Sequence, residues 1–417
     1  MRRLLLADDL TGAGDAGVQF AKAGLRTTVW LNHERCVAAA DGEVVVVDVD
    51  SRQISADAAY ARMRSVLAQF APVRPGELIK KIDSTLRGHL GPELRAMLDA
   101  LPGAFAIVCP AYPKNRRTLR DGILEVDGIP VDRTDFGRDL FTPVRDARVA
   151  AHLGVPSVAF DLALVRASTA ALDAAVDRAR QAGLRAAVVD AQTDADLRAI
   201  AALAALREDL LWVGSAGLIE MLGDSAPAGG SRAPAGPLAG PIAFLIGSLS
   251  AMTQQQVDTF AADPGVGTER IDPVAALEGD LSVPVARACA ALSQGRDVLL
   301  ALSGEREGVE QALAWGRARE WDAARTSHAL RERFIDETAP LAGAGAGAFV
   351  LSGGDVARSF CERHGVQGLA LLAEAAPGIP LSRAIGADLL LVTKAGGFGQ
   401  RETYREIVAT LRSQVTA

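Results

Sequence analysis

Short, nearly continuous apolar runs recur along this chain, and each gives way to a longer stretch of helical character. Arg3–Ala7, Phe105–Cys109 and Ile242–Ile246 are three of them. A run without polar alternation suits a strand covered on both faces. Strands of that kind alternating with helices predict a parallel, doubly wound sheet. The first half reads as strand Arg3–Ala7, helix Ala13–Ala23 closed by Gly24, strands Thr27–Leu31 and Glu43–Val49, and helix Ala56–Phe70. A strand through Leu78, Ile79 and Ile82 follows, then helix Pro92–Leu101 and strand Phe105–Cys109. A basic loop carrying Asn115, Arg116, Arg117 and Arg120 leads into a small hairpin, Ile123–Val131, turning at Asp127-Gly128. Strands recur at Ser157–Phe160, Arg185–Val189 and Leu211–Val213.

The length of 417 residues suggests two or three domains. Asp224 to Pro241 is rich in Pro, Gly, Ala and Ser and has no periodicity, which marks a linker. The expected organisation is a domain over residues 1–223, a linker over 224–241 and a second domain over 242–417. Strands of the second domain are read at Ile242–Ile246, Val298–Leu302, Ala348–Leu351 and Leu389–Val392. The fold class is therefore α/β: two domains, each a mostly parallel sheet flanked by helices, with the ligand cleft between them.

A net charge of −7 and the lack of a long basic run argue against a nucleic-acid partner. No apolar run approaches the ~18 residues of a membrane helix, and the run before Asp8 is too short for a signal peptide. Cys36, Cys109, Cys289 and Cys361 are scattered without CxxC spacing, so a reducing compartment, the cytoplasm, is expected. His33, His89, His152, His328 and His364 are dispersed, which speaks against a metal hydrolase and names no metal ligand. His89 adjoins the densest polar stretch, as a substrate contact or a helix-start residue. The oligomeric state is left open, a homo-oligomer included.

Three patterns carry chemistry. Lys80–Gly88 (KKIDSTLRG) leaves a short strand with two lysines, an aspartate, two hydroxyls and an arginine. Open α/β sheets bind ligands at the carboxyl ends of strands. Arg supplies a planar fork and Lys a mobile charge for a carboxylate or phosphate, while Asp and Ser can read sugar hydroxyls. A small polyhydroxy anion fits; a solvated loop with a cap at Ser84 or Thr85 is the plainer alternative.

Asp8-Asp9-Leu10-Thr11-Gly12-Ala13-Gly14-Asp15 follows the first strand. Asp9 or Thr11 alone could cap a helix. Paired carboxylates with Asp15 also suit phosphoryl transfer, which needs one carboxylate to orient or deprotonate an attacking hydroxyl. Gly12, Gly14 and Gly17 match the dinucleotide fingerprint G-x-G-x-x-G, but two aspartates there would repel a pyrophosphate.

In the second domain, Gly247-Ser248-Leu249-Ser250, Ser352-Gly353-Gly354-Asp355 and Lys394-Ala395-Gly396-Gly397 each follow a strand. Glycine turns let backbone N–H groups approach phosphates. No GxxxxGK[ST] occurs, so the familiar P-loop is excluded. Ser215, in GSAG, lacks the nucleophile-elbow spacing and reads as a turn.

Taken in order, Ala7–Asp15, Lys80–Gly88, Pro110–Thr118, Gly214–Leu218, Gly247–Gln256, Ser352–Asp355 and Thr393–Gly399 resemble the four-carbon acid sugar kinase family over nearly the whole chain. The resemblance implies an N-terminal acid-sugar-binding domain and a C-terminal nucleotide-binding domain. It also implies ATP-dependent phosphorylation of the terminal hydroxyl of threonate, erythronate or an oxo-tetronate, with Mg²⁺ carried by the nucleotide. Carried across by motif, Asp8, Asp9, Thr11, Lys81, Asp83, Ser84 and Arg87 would line the sugar-acid site. Ser248, Ser250, Gly353, Gly354, Asp355, Gly396 and Gly397 would hold ATP. Arg87 and Lys81 would clamp the carboxylate and Asp9 would position the hydroxyl, with Asp8, Asp15 and Asp83 as rivals. Val356 and Ala357 stand where the family pattern has small hydroxyl residues, and Ala251 where a Pro is common. A nicotinamide-dependent hydroxy-acid oxidoreductase and a non-catalytic sugar-acid sensor are the alternatives.

Overall fold

The computed structural model describes residues 3–32, 43–70, 77–139, 142–224, 238, 240–303 and 305–413. His33, Cys36 and most of the expected linker lie outside the described residues. The chain divides into two units, Met1–Arg232 and Ala233–Ala417.

The strands of the first unit are β1 (Arg3–Ala7), β2 (Arg26–Trp30), β3 (Glu43–Asp48), β4 (Glu77–Lys81), β5 (Phe105–Cys109), β6 (Arg117–Arg120), β7 (Ile123–Val126), β8 (Ile129–Pro130), β9 (Ser157–Phe160), β10 (Ala186–Val189) and β11 (Leu210–Gly214). Its helices are α1 (Leu10–Lys22), α2 (Ala56–Phe70), α3 (Leu90–Ala100), α4 (Leu162–Ala167), α5 (Thr169–Gln181), α6 (Asp194–Ala201) and α7 (Ala216–Asp224). The large sheet runs β2-β3-β1-β4-β11-β5-β10-β9, and every pair is parallel. β1, β5, β10 and β11 are buried throughout, as expected for strands covered on both faces. From β1 the chain moves out to β2, returns at β3, then crosses to β4 on the far side. Right-handed crossovers then put α1 on one face and α2 and α3 on the other. Accordingly α1 packs with α7, and α2 with α3. The reversal at β1 creates the crevice in which such sheets take ligands.

β6, β7 and β8 form a separate antiparallel sheet, of which only the hairpin was expected. Asp127 (φ 54°) and Gly128 (φ 77°) make the two-residue turn, a left-handed pair that matches strand twist. The motif Arg117–Arg120, read as loop because of its charge, is a strand whose Leu119 is fully buried.

The second unit comprises β12 (Ile242–Ile246), β13 (Gly267–Ile271), β14 (Val298–Leu302), β15 (Ala348–Ser352), β16 (Gly368–Ala376), β17 (Ile379–Ile385) and β18 (Leu390–Lys394). Its helices are α8 (Ala251–Ala261), α9 (Pro273–Glu278), α10 (Ser282–Ser293), α11 (Glu305–Arg317), α12 (Ala323–Thr338), α13 (Gly354–Arg363) and α14 (Thr403–Ser413). β13-β14-β12-β15-β18 are parallel, and the β16–β17 hairpin adds antiparallel to β18. β13 and the hairpin were not anticipated. Phe244, Phe260 and Tyr404 pack with ring centroids 4.7–6.0 Å apart at the heart of this unit's core.

Candidate functional site

Parallel pairing brings three strand ends of the first unit together. Ala7 lies opposite Asp48 on one side and Lys81 on the other. The loop after β3 therefore folds against the loop after β1: Val49 N–H donates to the Ala7 carbonyl at 2.8 Å, and Ser51 and Arg52 N–H donate to the Asp8 carbonyl at 3.0 and 3.2 Å.

That backbone contact delivers Arg52, which the sequence reading did not assign to the site. Its guanidinium grips Asp8 bidentately, Nε–Oδ2 2.7 Å and Nη2–Oδ1 3.0 Å. Its Nη2 also lies 2.8 Å from Asp9 Oδ1 and 3.9 Å from Asp83 Oδ1. The signal available was its place right after a buried strand adjacent to β1. Burial works against the Arg52 charge, but Asp8, Asp9 and Asp83 raise its pKa well above the ordinary value. Asp8 is likewise desolvated, yet Arg52, Lys80 and Lys81 carry its pKa below the usual carboxylate value.

Asp9 is the N-cap of α1. Its Oδ1 accepts the Gly12 N–H at 3.0 Å and its Oδ2 accepts the Thr11 hydroxyl at 2.6 Å. Gly12, Gly14 and Gly17 all lie inside α1 and are buried, and the first of these N–H groups is already taken by a carboxylate. A pyrophosphate has no opening there, so the dinucleotide reading loses its structural basis. A Cβ on Gly12 would meet Asp9 Oδ1 at 2.5 Å and Lys81 Nζ at 3.0 Å.

Lys81 crosses over this helix start and pairs with Asp15, Nζ–Oδ1 3.3 Å, both side chains buried. Burial pushes the Asp15 carboxyl up to about 7, with Lys81 opposing and Asp9 adding to the rise. Lys81 is also desolvated, but Asp15, Asp9, Asp8 and Asp83 raise its pKa. Lys80, on the opposite side of β4, meets Glu93 of α3 at 2.9 Å and donates to the Lys81 carbonyl at 2.9 Å.

The turn after β4 is held from within. Asp83 accepts the Thr85 N–H and hydroxyl, the Arg87 N–H and the Arg87 guanidinium, the last at 2.9 and 3.1 Å. Burial opposes its charge, but Arg87 and Arg52 hold its pKa well below the usual value. Leu86 (φ 66°) and Gly88 (φ 95°) make the sharp bend, and a Cβ on Gly88 would lie 2.8 Å from Asp8 Oδ2. Neither Ser84 nor Thr85 caps a helix; α3 starts at Leu90, with His89 ahead of it. The His89 ring meets the Ile54 carbonyl. Arg87 stands 5.3 Å over the Phe136 ring and 3.7 Å from Asp139, two neighbours that no local motif announces.

In the second unit, β12, β15 and β18 are adjacent, so their three glycine turns are neighbours. Gly247 N–H donates to the Ser352 carbonyl at 3.0 Å, and Gly353 N–H to the Lys394 carbonyl at 2.9 Å. Ser250 caps α8 through the Thr253 N–H, and Ala251 takes the first helical position, where a Pro would also fit. The Ser250 and Thr253 hydroxyls reach the Gly396 carbonyl at 2.9 and 2.7 Å. A Cβ on Gly396 would strike Ser248 Oγ at 2.2 Å. Asp355 lies 3.4 Å from Arg331 at the start of α13. Val356 and Ala357 point into the core, and Val356 fills the space beside Gly247, which explains why hydroxyl residues are absent there.

Residues 4–222 match the family model described as sugar-binding N-terminal domain, and residues 243–404 match the nucleotide-binding C-terminal domain. The chain belongs to the four-carbon acid sugar kinase family. Among its relatives, a D-threonate kinase of Cupriavidus necator is 34% identical, covering 96% of this chain and 95% of that protein. A 3-oxo-tetronate kinase of Methylobacterium radiotolerans is 33% identical, covering 94% and 95%. A solved structure from Salmonella typhimurium LT2 superposes with a TM-score of 0.81 at 23% identity, covering 97% of this chain and 98% of that one, a likeness of fold. In this sugar-acid kinase the charge-dense cluster lies in the sugar-binding match and the glycine turns lie in the nucleotide-binding match.

Proposed function

We propose that this protein transfers the γ-phosphoryl group of ATP to the terminal hydroxyl of a four-carbon sugar acid such as threonate, erythronate or an oxo-tetronate. The observation that carries the reading is the state of four clustered carboxylates of the first unit, Asp8, Asp9, Asp15 and Asp83. Asp8 is taken up by Arg52, Asp83 by Arg87 and Thr85, and Asp15 by Lys81. Asp9 also pairs with Arg52 at 2.8 Å and accepts from Thr11 and Gly12, but 17% of its side chain is exposed against 3% for Asp8, 6% for Asp15 and 12% for Asp83, and this largest exposure supports it as the ligand-facing carboxylate. It accepts the substrate hydroxyl's proton as the alkoxide oxygen forms its bond to the γ-phosphorus. The bond from that phosphorus to the β-bridging oxygen breaks, and ADP leaves with the electron pair.

Lys81 supports recognition of the acid. Among the described residues its ammonium has one partner, Asp15, which leaves donors for a carboxylate or hydroxyl. Arg87, fixed by Asp83 and Phe136, would add its positive charge and its donors not used by Asp83, and Ser84 would add a hydroxyl. Thr11 holds Asp9 in its rotamer. Ser248, Ser250, Gly353, Gly354, Asp355, Gly396 and Gly397 form the nucleotide side. No group of three or more His, Cys, Asp or Glu side chains suited to a metal occurs among the described residues. Mg²⁺ would come with the nucleotide phosphates and would neutralise their charge. Free thiols at Cys109, Cys289 and Cys361, and the use of ATP, fit a cytoplasmic setting.

The test is ADP release, followed with a panel of threonates, erythronates and oxo-tetronates, with the phosphorylated acid identified by mass. ADP formation in step with one four-carbon acid is expected. Sugar-acid binding without turnover would favour the sensor, and a four-carbon acid that reduces NAD instead would favour the oxidoreductase.

A further inference from the structure

Lys394 ends β18 and is completely buried. No acid is paired with it among the described residues. Its Nζ donates instead to the carbonyls of Ala395 at 3.0 Å and Gly396 at 3.2 Å, and lies 5.8 Å from the Tyr404 ring. A buried cation whose partners are all carbonyls is expensive unless an anion completes it. Burial alone drags its pKa down to about 7.

The Gly396 carbonyl is gripped by three donors: Lys394 Nζ, the Ser250 hydroxyl at 2.9 Å and the Thr253 hydroxyl at 2.7 Å. A trans peptide unit is planar, so its N–H points opposite its C=O. With the carbonyls of Ala395 and Gly396 both turned toward Lys394, the N–H groups of Gly396 and Gly397 both turn away from it. Neither N–H has a hydrogen-bond partner among the described residues. A Cβ added at Gly397 would meet nothing within 4 Å, so this side of the turn is open. Two successive free N–H groups on an open face, backed by a buried positive charge, make a concavity for an anion.

We propose that Lys394 is a positioning residue which, with Thr253 and Ser250, turns the Gly396 and Gly397 amides into a nest for a phosphate group of the nucleotide. The lysine acts through the backbone and does not itself touch the phosphate. The inference rests on the reading of the second unit as the nucleotide side and goes beyond it by naming the phosphate-binding atoms and what aims them.

Lys394→Met keeps the length and removes the charge and both hydrogen bonds. Binding of ADP, AMP and adenosine to wild type and variant is measured by calorimetry, with the melting temperature as a fold control. ADP affinity is expected to fall about tenfold or more, while adenosine affinity and sugar-acid affinity stay put. Equal loss for adenosine and ADP would show a merely structural lysine, and unchanged ADP affinity would also overturn the proposal. If Lys394→Met does not fold, Thr253→Val serves, since it removes one of the three grips on the Gly396 carbonyl; a selective loss of ADP over adenosine is again expected and its absence counts against the nest. Wild-type protein that binds no adenine nucleotide would instead remove the kinase reading, a separate failure.

Discussion

The two units place charge at their strand ends by opposite means, and on the proposed reading both hold an anion. The first links Asp8, Asp9, Asp83, Arg52 and Arg87 by ion pairs and sets the Lys81–Asp15 pair beside them. The second offers glycine turns, hydroxyls and a buried lysine with no acid partner among the described residues. A lattice of opposed charges discriminates: a ligand must match the pattern of donors and acceptors to displace nothing and satisfy everything. Backbone amides, by contrast, recognise a phosphate wherever it comes from, and the side chains behind them set only their aim. On the proposed reading, chemistry and substrate choice reside in the first unit, and a general phosphate grip in the second.

Substitutions that damage one unit and spare the other test this division. Asp9→Asn removes the proton acceptor and should lower kcat by about 10³-fold, within the range of lost general-base catalysis. Nucleotide affinity in that variant should match wild type, and an unchanged turnover would take Asp9 out of the reaction. Arg52→Met leaves the buried Asp8 without its bidentate partner, at a cost of about 3–5 kcal/mol to the first unit. Denaturant unfolding should show that loss while the second unit still binds ADP. Gly396→Ala places a methyl 2.2 Å from Ser248 Oγ and should weaken ATP binding about tenfold with sugar-acid binding intact.

The smallest effect concerns pH. Asp15 titrates at about 7 when folded and near ~4 when unfolded, because burial disfavours its charge. The folded state therefore binds this proton more tightly. The stability it contributes is full below pH ~4 and is lost as pH rises through about 7. Asp15→Asn should flatten that decline, seen as melting temperature against pH from 5 to 8.5; parallel curves would show that Asp15 does not carry it.

Much of this architecture was readable in advance, for identifiable reasons. Phe105–Cys109, Ile242–Ile246 and Val298–Leu302 coincide with their expected limits, because strands buried on both faces leave an unbroken apolar signal. Helix α1 starts three residues earlier than read, since Asp9 caps it and the glycines that suggested a loop are helical. β16 and β17 were missed because LALLAEAAPGIPLSRAI has few β-branched residues, and only Pro377-Gly378 hints at the turn. At the site, Asp8, Asp9, Lys81 and Asp83 stood out as local clusters. Arg52, Phe136 and Asp139 belong to it through sheet pairing and a long excursion of the chain, relations that spacing in one sequence does not encode.

The doublet Lys80-Lys81 shows how finely the pleat sorts two identical side chains. Lys80, sealed against Glu93, is tied to helix packing on one face of the sheet; Lys81 leans the other way over the start of α1. Anyone hoping to retune this protein toward an uncharged sugar has a single handle in that doublet. On the proposed reading, editing position 81 would alter what the enzyme accepts, whereas editing its neighbour would disturb the helix packing that presents it.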